Sequence, residues 1–222
     1  ILEKKSIEYR KTILEIIYNS GAGHTGGSLS CIDILNVLYN CILKINPNNF
    51  NELDRNNYIH SKGHSVEALY TVLCDRGFFD RKALNTLNQF NSHFIGHPTR
   101  KVLGIEHNTG ALGHGLSVAV GLSLAKKIDK SNKKVFTLLG DGELSEGSVW
   151  EAIMAASHFK LDNLTAIVDR NKWQQTGSGS DIMEIGDLRK KFGSFGWQAV
   201  EINGHNIADI YMALKEESGG KP

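Results

Sequence analysis

Apolar residues recur along this chain at two spacings, and each spacing predicts an element. Over residues 6–20, Ile7, Ile13, Leu14, Ile16 and Ile17 fall on one helical face, and Gly21 stops the run. Ser30 can cap a second helix reaching residue 43, with Ile32, Leu35, Leu38, Tyr39 and Ile42 as its buried face. Asn46-Pro47-Asn48-Asn49 reads as a loop. Residues 58–61 read as a short strand entering Lys62-Gly63-His64-Ser65, and a helix then runs through Leu73 to end near Gly77. Asp80 caps a short predicted helix to Phe90, and a long helix is predicted over 116–128. Strands at 135–139 and 164–168 flank an amphipathic run at 148–160, in which Trp150, Ile153, Met154, Ala156 and Ser157 are set to pack on the sheet. A loop at 176–181 leads to a short helix at 187–192, a strand at 198–202 and a last helix from Asn206 to Glu217. This alternation predicts an α/β fold, doubly wound, with a mostly parallel sheet and helices on both faces.

The chemistry concentrates where the strand at 135–139 runs into Gly140-Asp141-Gly142. The next strand ends at Asp169-Arg170-Asn171. A strand, a helix and a strand in sequence make a parallel pair, so Asp141 and Asn171 are expected on the same sheet edge, where open α/β sheets bind ligands. A carboxylate, an amide oxygen and a loop carbonyl beyond Asn171 are too few to cage a cation. They suit a magnesium-type ion completed by water and phosphate oxygens. The plainer alternative is a tight turn whose Asp caps the following helix.

Composition narrows the classes. With 222 residues the chain can bury a full core, and one domain is expected. The formal charge of +1 points to neither nucleic acid nor an anionic membrane. Cys31, Cys41 and Cys74 match no metal spacing and read as reduced, buried thiols of a cytoplasmic protein. No signal peptide is evident, and the apolar stretch from Leu116 to Ala125 is too short to span a bilayer. His93 and His97 have a zinc-like spacing, but Gly96 and Pro98 argue against the helix that spacing needs. Gly110, Gly113 and Gly115 do not form a dinucleotide fingerprint.

Gly140-Asp141-Gly142 followed by Asn171 resembles the diphosphate-and-magnesium motif of thiamine-diphosphate enzymes. The surrounding residues narrow the resemblance to the amino-terminal, diphosphate-binding half of transketolases, along essentially the whole chain. It implies thiamine diphosphate with Mg2+ (Ca2+ or Mn2+ as alternatives). Asp141, Asn171 and the Trp173 carbonyl would hold the metal, and Gly142 and His64 the diphosphate, with Gly140 in the same turn. His24, in Gly23-His24-Thr25-Gly26, resembles a family histidine facing the substrate and the reacting carbon, with Thr25 replacing the usual proline. His97, in Gly96-His97-Pro98, matches a loop histidine that contacts the donor sugar. The backbone at Gly110 and Leu112 would lie against the cofactor rings. Glu146 matches an acid that communicates between paired active sites, and reads equally as a carboxylate at a helix N-terminus. Ala111, His114 and Gln175 depart from the family pattern.

In the family, the glutamate that activates the cofactor and most residues holding the sugar phosphate lie on a second, pyrimidine-binding domain. The chain has no room for it, and it stops before a further strand and a histidine-bearing loop. Residues 1–222 thus read as one diphosphate-binding domain truncated before its last strand. The resemblance implies a split transketolase, two copies of each chain together, or a fragment of a longer one. Either would move a two-carbon ketol unit from a ketose phosphate to an aldose phosphate, with this chain inactive alone. Alternatives are ketol or acyl transfer on an unusual sugar, a non-catalytic module of the same fold and, more distantly, a nicotinamide enzyme.

Overall fold

In the computed structural model, which describes residues 1–216 and 219–222, three strands form a parallel sheet. Its order is β1 (Asn57–His60), β2 (Val135–Gly140), β3 (Leu164–Asp169). The register sets Asn57 beside Val135 and Gly140 beside Asp169. Every residue of β2 is buried, which explains its unbroken apolar run: a central parallel strand is covered on both faces. Helix α4 (Gly115–Ile128) packs on all three strands, and α5 (Gly147–His158) packs on α4. The core between them contains Leu116, Ala119, Val135, Leu139, Val149, Ile153 and Trp197.

The chain divides into two compact units. Ile1–Arg55, Gly63–Gly110 and Asn203–Lys215 make the first; Asn56–Lys62, Ala111–Ile202 and Glu216–Pro222 make the second, which holds the sheet. In the first unit α1 (Leu2–Ser20), α2 (Thr25–Val37) and α3 (Val66–Asp75) pack on one another, and α8 (Ile207–Lys215) packs on α2. Gly21 ends α1 in the left-handed region at φ 67°, its amide donating to the Ile17 carbonyl at 3.0 Å. In the second unit β4 (Trp173–Gln174) and β5 (Gly177–Ser178) form a hairpin, followed by α6 (Gly179–Ile182) and α7 (Leu188–Ser194).

Several expectations are corrected. Ile7 and Leu14 are exposed, because α1 turns Ser6, Tyr9, Thr12, Ile13 and Ile16 inward instead. Helix α2 starts at Thr25, ahead of Ser30, and passes through Gly26 and Gly27; the Ser28 amide already closes on the His24 carbonyl at 2.9 Å. It gives way to a π-helical turn at Leu38–Ile42, before the predicted end. The segment after Asp80 is a 3₁₀ turn, Arg81–Thr86, and Phe90 beyond it is exposed. Met154 faces outward, and Cys41 and Cys74 are only half-buried. The loop expected at 176–181 holds β5 and α6. Residues 198–202 form no strand. A strand needs a neighbour's backbone groups, and here the Gln198 amide goes to the Pro222 carbonyl at 3.0 Å. The predicted helix end at Glu217 lies outside the described residues.

Asp33 on α2 is buried and takes both nitrogens of Arg10, at 3.0 and 2.5 Å, with His205 Nδ1 at 2.8 Å. Burial pushes its carboxyl up, but hydrogen bonds from Arg10, Ser6 and His205 outweigh that and hold it below the usual range. A depressed carboxyl stabilises the fold above its unfolded value of about 4 and loses that contribution as pH falls through the folded value. Asp33→Asn is therefore expected to cost about 2 kcal/mol at pH 7. Melting curves from pH 7 to 3 check this: the gap from wild type should hold at neutral pH and narrow progressively below about pH 4.

Candidate active site

The candidate residues fall on both units, and each set is built by its own unit. In the second, β2 delivers Asp141 and β3 leads to Asn171 at matching ends, as the parallel register requires. Asp141 is 5% exposed. Its Oδ1 accepts the Gly142 amide at 3.0 Å, and its Oδ2 accepts the Lys172 amide at 2.8 Å. The Lys172 backbone is left-handed, φ 63°, which turns the chain just after Asn171 towards Asp141. Asn171 Oδ1 accepts the Trp173 amide at 2.9 Å, while the Trp173 side chain is largely exposed. Burial pushes the Asp141 carboxyl up and nearby Asp169 adds to this, against the pull of the two amides and Lys62.

Two buried charged groups that the sequence reading passed over complete this end of the sheet. The stem of Lys62 runs past Gly140, and its Nζ meets Asp169 Oδ2 at 2.6 Å. Glu143, 1% exposed, accepts the Ser61 hydroxyl, the Gly113 amide at 2.9 Å and the Gly140 amide at 3.1 Å. Burial pushes its carboxyl up despite these donors and Lys62. Glu143 thus joins the chain after β1, the glycine-rich loop and the end of β2. An acid in a short turn gave no periodic signal; its sole sequence clue is its place directly after Gly140-Asp141-Gly142. Gln174 lies against Gly142, whereas Gln175 is exposed in the hairpin turn. Leu112 is half-buried, and Glu146 is exposed at the start of α5, with its Cβ against Gly113. At Gly113, φ is 86° and an added Cβ would sit 2.6 Å from Glu146 Cβ, so only glycine fits.

The first unit gathers the histidines. His24 precedes α2 and His64 lies in the 3₁₀ turn Gly63–Ser65 ahead of α3. Their rings meet edge-on with centroids 5.3 Å apart, and His97 is 6.4 Å from His24. Gly110, at φ 149°, packs on the His97 ring; a Cβ there would sit 2.9 Å from its Cδ2. His93 and His97 lie in irregular chain, not on a helix.

A family model described as "Transketolase, thiamine diphosphate binding domain" matches residues 3–222. This chain belongs to that family. It is 48% identical over 214 residues to a subunit of the apulose-4-phosphate transketolase of Phocaeicola vulgatus, covering 96% of this chain and 76% of that one. It is 39% identical to the 6-deoxy-6-sulfo-D-fructose transketolase subunit SqwG of a Clostridium species, covering all of this chain and 82% of that one. A crystal structure of transketolase from Campylobacter jejuni superposes with a TM-score of 0.92 at 32% identity. That match covers 100% of this chain and 36% of the other, so the chain spans about a third of a transketolase of that kind.

The residues at the end of the transketolase sheet fit a divalent cation. Asp141 and Asn171 offer a carboxylate and an amide oxygen, donor types that hard cations take. The Asp141 carboxyl is buried and pushed up, the position of an acid to which a cation would restore favourable charge.

Removing Glu143 leaves a buried hydroxyl and two buried amides without their acceptor. Glu143→Ala is expected to cost about 3 kcal/mol or more and Glu143→Gln distinctly less, as read by urea denaturation.

Proposed function

We propose that this chain is the thiamine-diphosphate-binding subunit of a two-chain transketolase. Its partner would carry the pyrimidine-binding domain, in a complex of two copies of each. The observation that carries the reading is the buried Asp141, held at the end of β2 by the amide that follows Asn171. Similarity across 76% and 81% of the length of two proteins that are themselves named as transketolase subunits supports a separate second chain. Residues 1–222 are read as a cofactor-binding domain, and the protein as cytoplasmic from the reduced cysteines that its sequence suggests. No described helix is long and apolar enough to cross a membrane.

Asp141, Asn171 and the Trp173 carbonyl would hold Mg2+, and His64 and the turn at Gly142 the diphosphate. The loop with Gly110 and Leu112 would face the cofactor rings, and Glu146 would belong to the same set. Thiamine diphosphate, when bound, supplies the electron sink for breaking and remaking a carbon–carbon bond beside a carbonyl. His24 and His97 would hydrogen-bond the sugar oxygens as charge shifts onto them and carry protons to and from them. The reaction is transfer of a two-carbon ketol unit from a ketose phosphate to an aldose phosphate. A second reading, an unusual sugar as donor, is favoured by likeness to proteins named for apulose 4-phosphate and 6-deoxy-6-sulfo-D-fructose.

Two measurements test this. By calorimetry with Mg2+, the chain mixed with its partner should bind thiamine diphosphate, and Asp141→Ala should weaken that at least a hundredfold. In a ketol-transfer assay the chain alone should be silent and the mixture active; turnover by the chain alone would refute the two-chain reading.

A further inference from the structure

Helix α3 touches the segments of His24 and His97 from one side. Glu67, in its first turn, is fully buried, and its Oε2 accepts the Ser28 hydroxyl at 2.8 Å. Its Oε1 takes the His24 amide at a longer 3.4 Å. The same oxygen lies 2.8 Å from where a Cβ on Gly23 would be, so the chain before His24 is pressed onto this carboxyl group. Tyr70, three positions on and therefore on the same helix side, is also fully buried. Its hydroxyl donates to the Ile95 carbonyl at 3.1 Å and the His97 carbonyl at 3.3 Å. The ring packs edge-on against Phe94, 5.2 Å between centroids. His64 sits in the turn that leads directly into the same helix.

Burying a carboxyl group with one short and one long donor is costly, and a packed core would be cheaper with an apolar residue there. The cost is accounted for by where the donors lie: one is the amide of His24, the residue that precedes α2, and the other is Ser28 in the first turn of that helix. We propose that Glu67 and Tyr70 are positioning residues, and that one face of α3 holds His24 and His97 at set distances from His64. This rests on the reading that His24 and His97 receive the sugar. Neither Glu67 nor Tyr70 would touch substrate. Each would act through the histidine whose backbone it holds, and displacement of such a group by an ångström is enough to impair turnover.

The test uses the full chain, ¹³C-labelled in histidine, with imidazole signals assigned from His24→Asn, His64→Asn and His97→Asn. Tyr70→Phe should move the His97 signals and leave those of His24 in place. Glu67→Gln and Ser28→Ala should move the His24 signals and leave those of His97. With the partner chain present, each variant should raise the donor-sugar KM about tenfold while the affinity for thiamine diphosphate stays within twofold. The proposal is overturned if Tyr70→Phe leaves His97 unmoved. It is equally overturned if all three histidines shift together and cofactor affinity falls with them, as a merely structural role would produce. Absence of ketol transfer by the wild-type pair would refute the enzymatic reading above, while the imidazole signals still decide the positioning.

Discussion

Taking a carboxyl group out of water costs several kcal/mol unless donors meet it. At Glu143 three donors do so, and they come from three separate stretches of chain: Ser61 after β1, Gly113 in the glycine-rich loop and Gly140 at the end of β2. The sheet register can bring strand ends level, but it does not control the loops beyond them. Glu143 does, because any of the three segments that drifts away leaves a buried polar group unpaired. The turn carrying Asp141 is therefore held from behind by Glu143 and from the side by the Lys172 amide. The Lys62–Asp169 pair, buried on the same strand ends, ties the outer strands across Gly140.

The first unit solves a similar problem with a helix. Its histidines come from segments far apart in sequence, and irregular chain such as 88–110 has no ladder to fix it. Hydrogen bonds from α3 do that work locally: Tyr70 holds the backbone carbonyls at Ile95 and His97, and Glu67 holds the start of α2. The glycines on either side are forced by the same closeness. Gly63 and Gly110 approach so tightly that a Cβ on Gly63 would lie 2.8 Å from the Gly110 nitrogen.

Elements whose pattern is set by burial alone were legible. The run 135–139 is apolar because β2 is buried on both faces, and α4 appears within one residue of its expected start because its inward face is continuous. Elements whose ends depend on a distant partner were not. Thr25 to Ser28, with two glycines, has weak helix propensity, yet it is helical where Glu67 meets it. Residues 198–202 have the alternation of a strand, but they make no ladder here. In α1 several apolar residues compete for the inward side, and packing against α2 and α3 selected Ile13 and Ile16 over Ile7 and Leu14.

By itself the sequence determined the chemistry on offer: an acid between glycines at one strand end, an amide at the next, and histidines in glycine-rich segments, all in the order of a transketolase diphosphate-binding half. Residue type and spacing along one chain are enough for that, because a parallel strand–helix–strand unit leaves its two strand ends on one edge. Only the tertiary structure decided which buried charges support those groups. Glu67, Glu143 and the Lys62–Asp169 pair carry no local periodic signal, and each takes its meaning from donors or partners distant in sequence. Those partners meet only once the strands and helices have packed, which is when the cost of burying a polar group begins to select its neighbours.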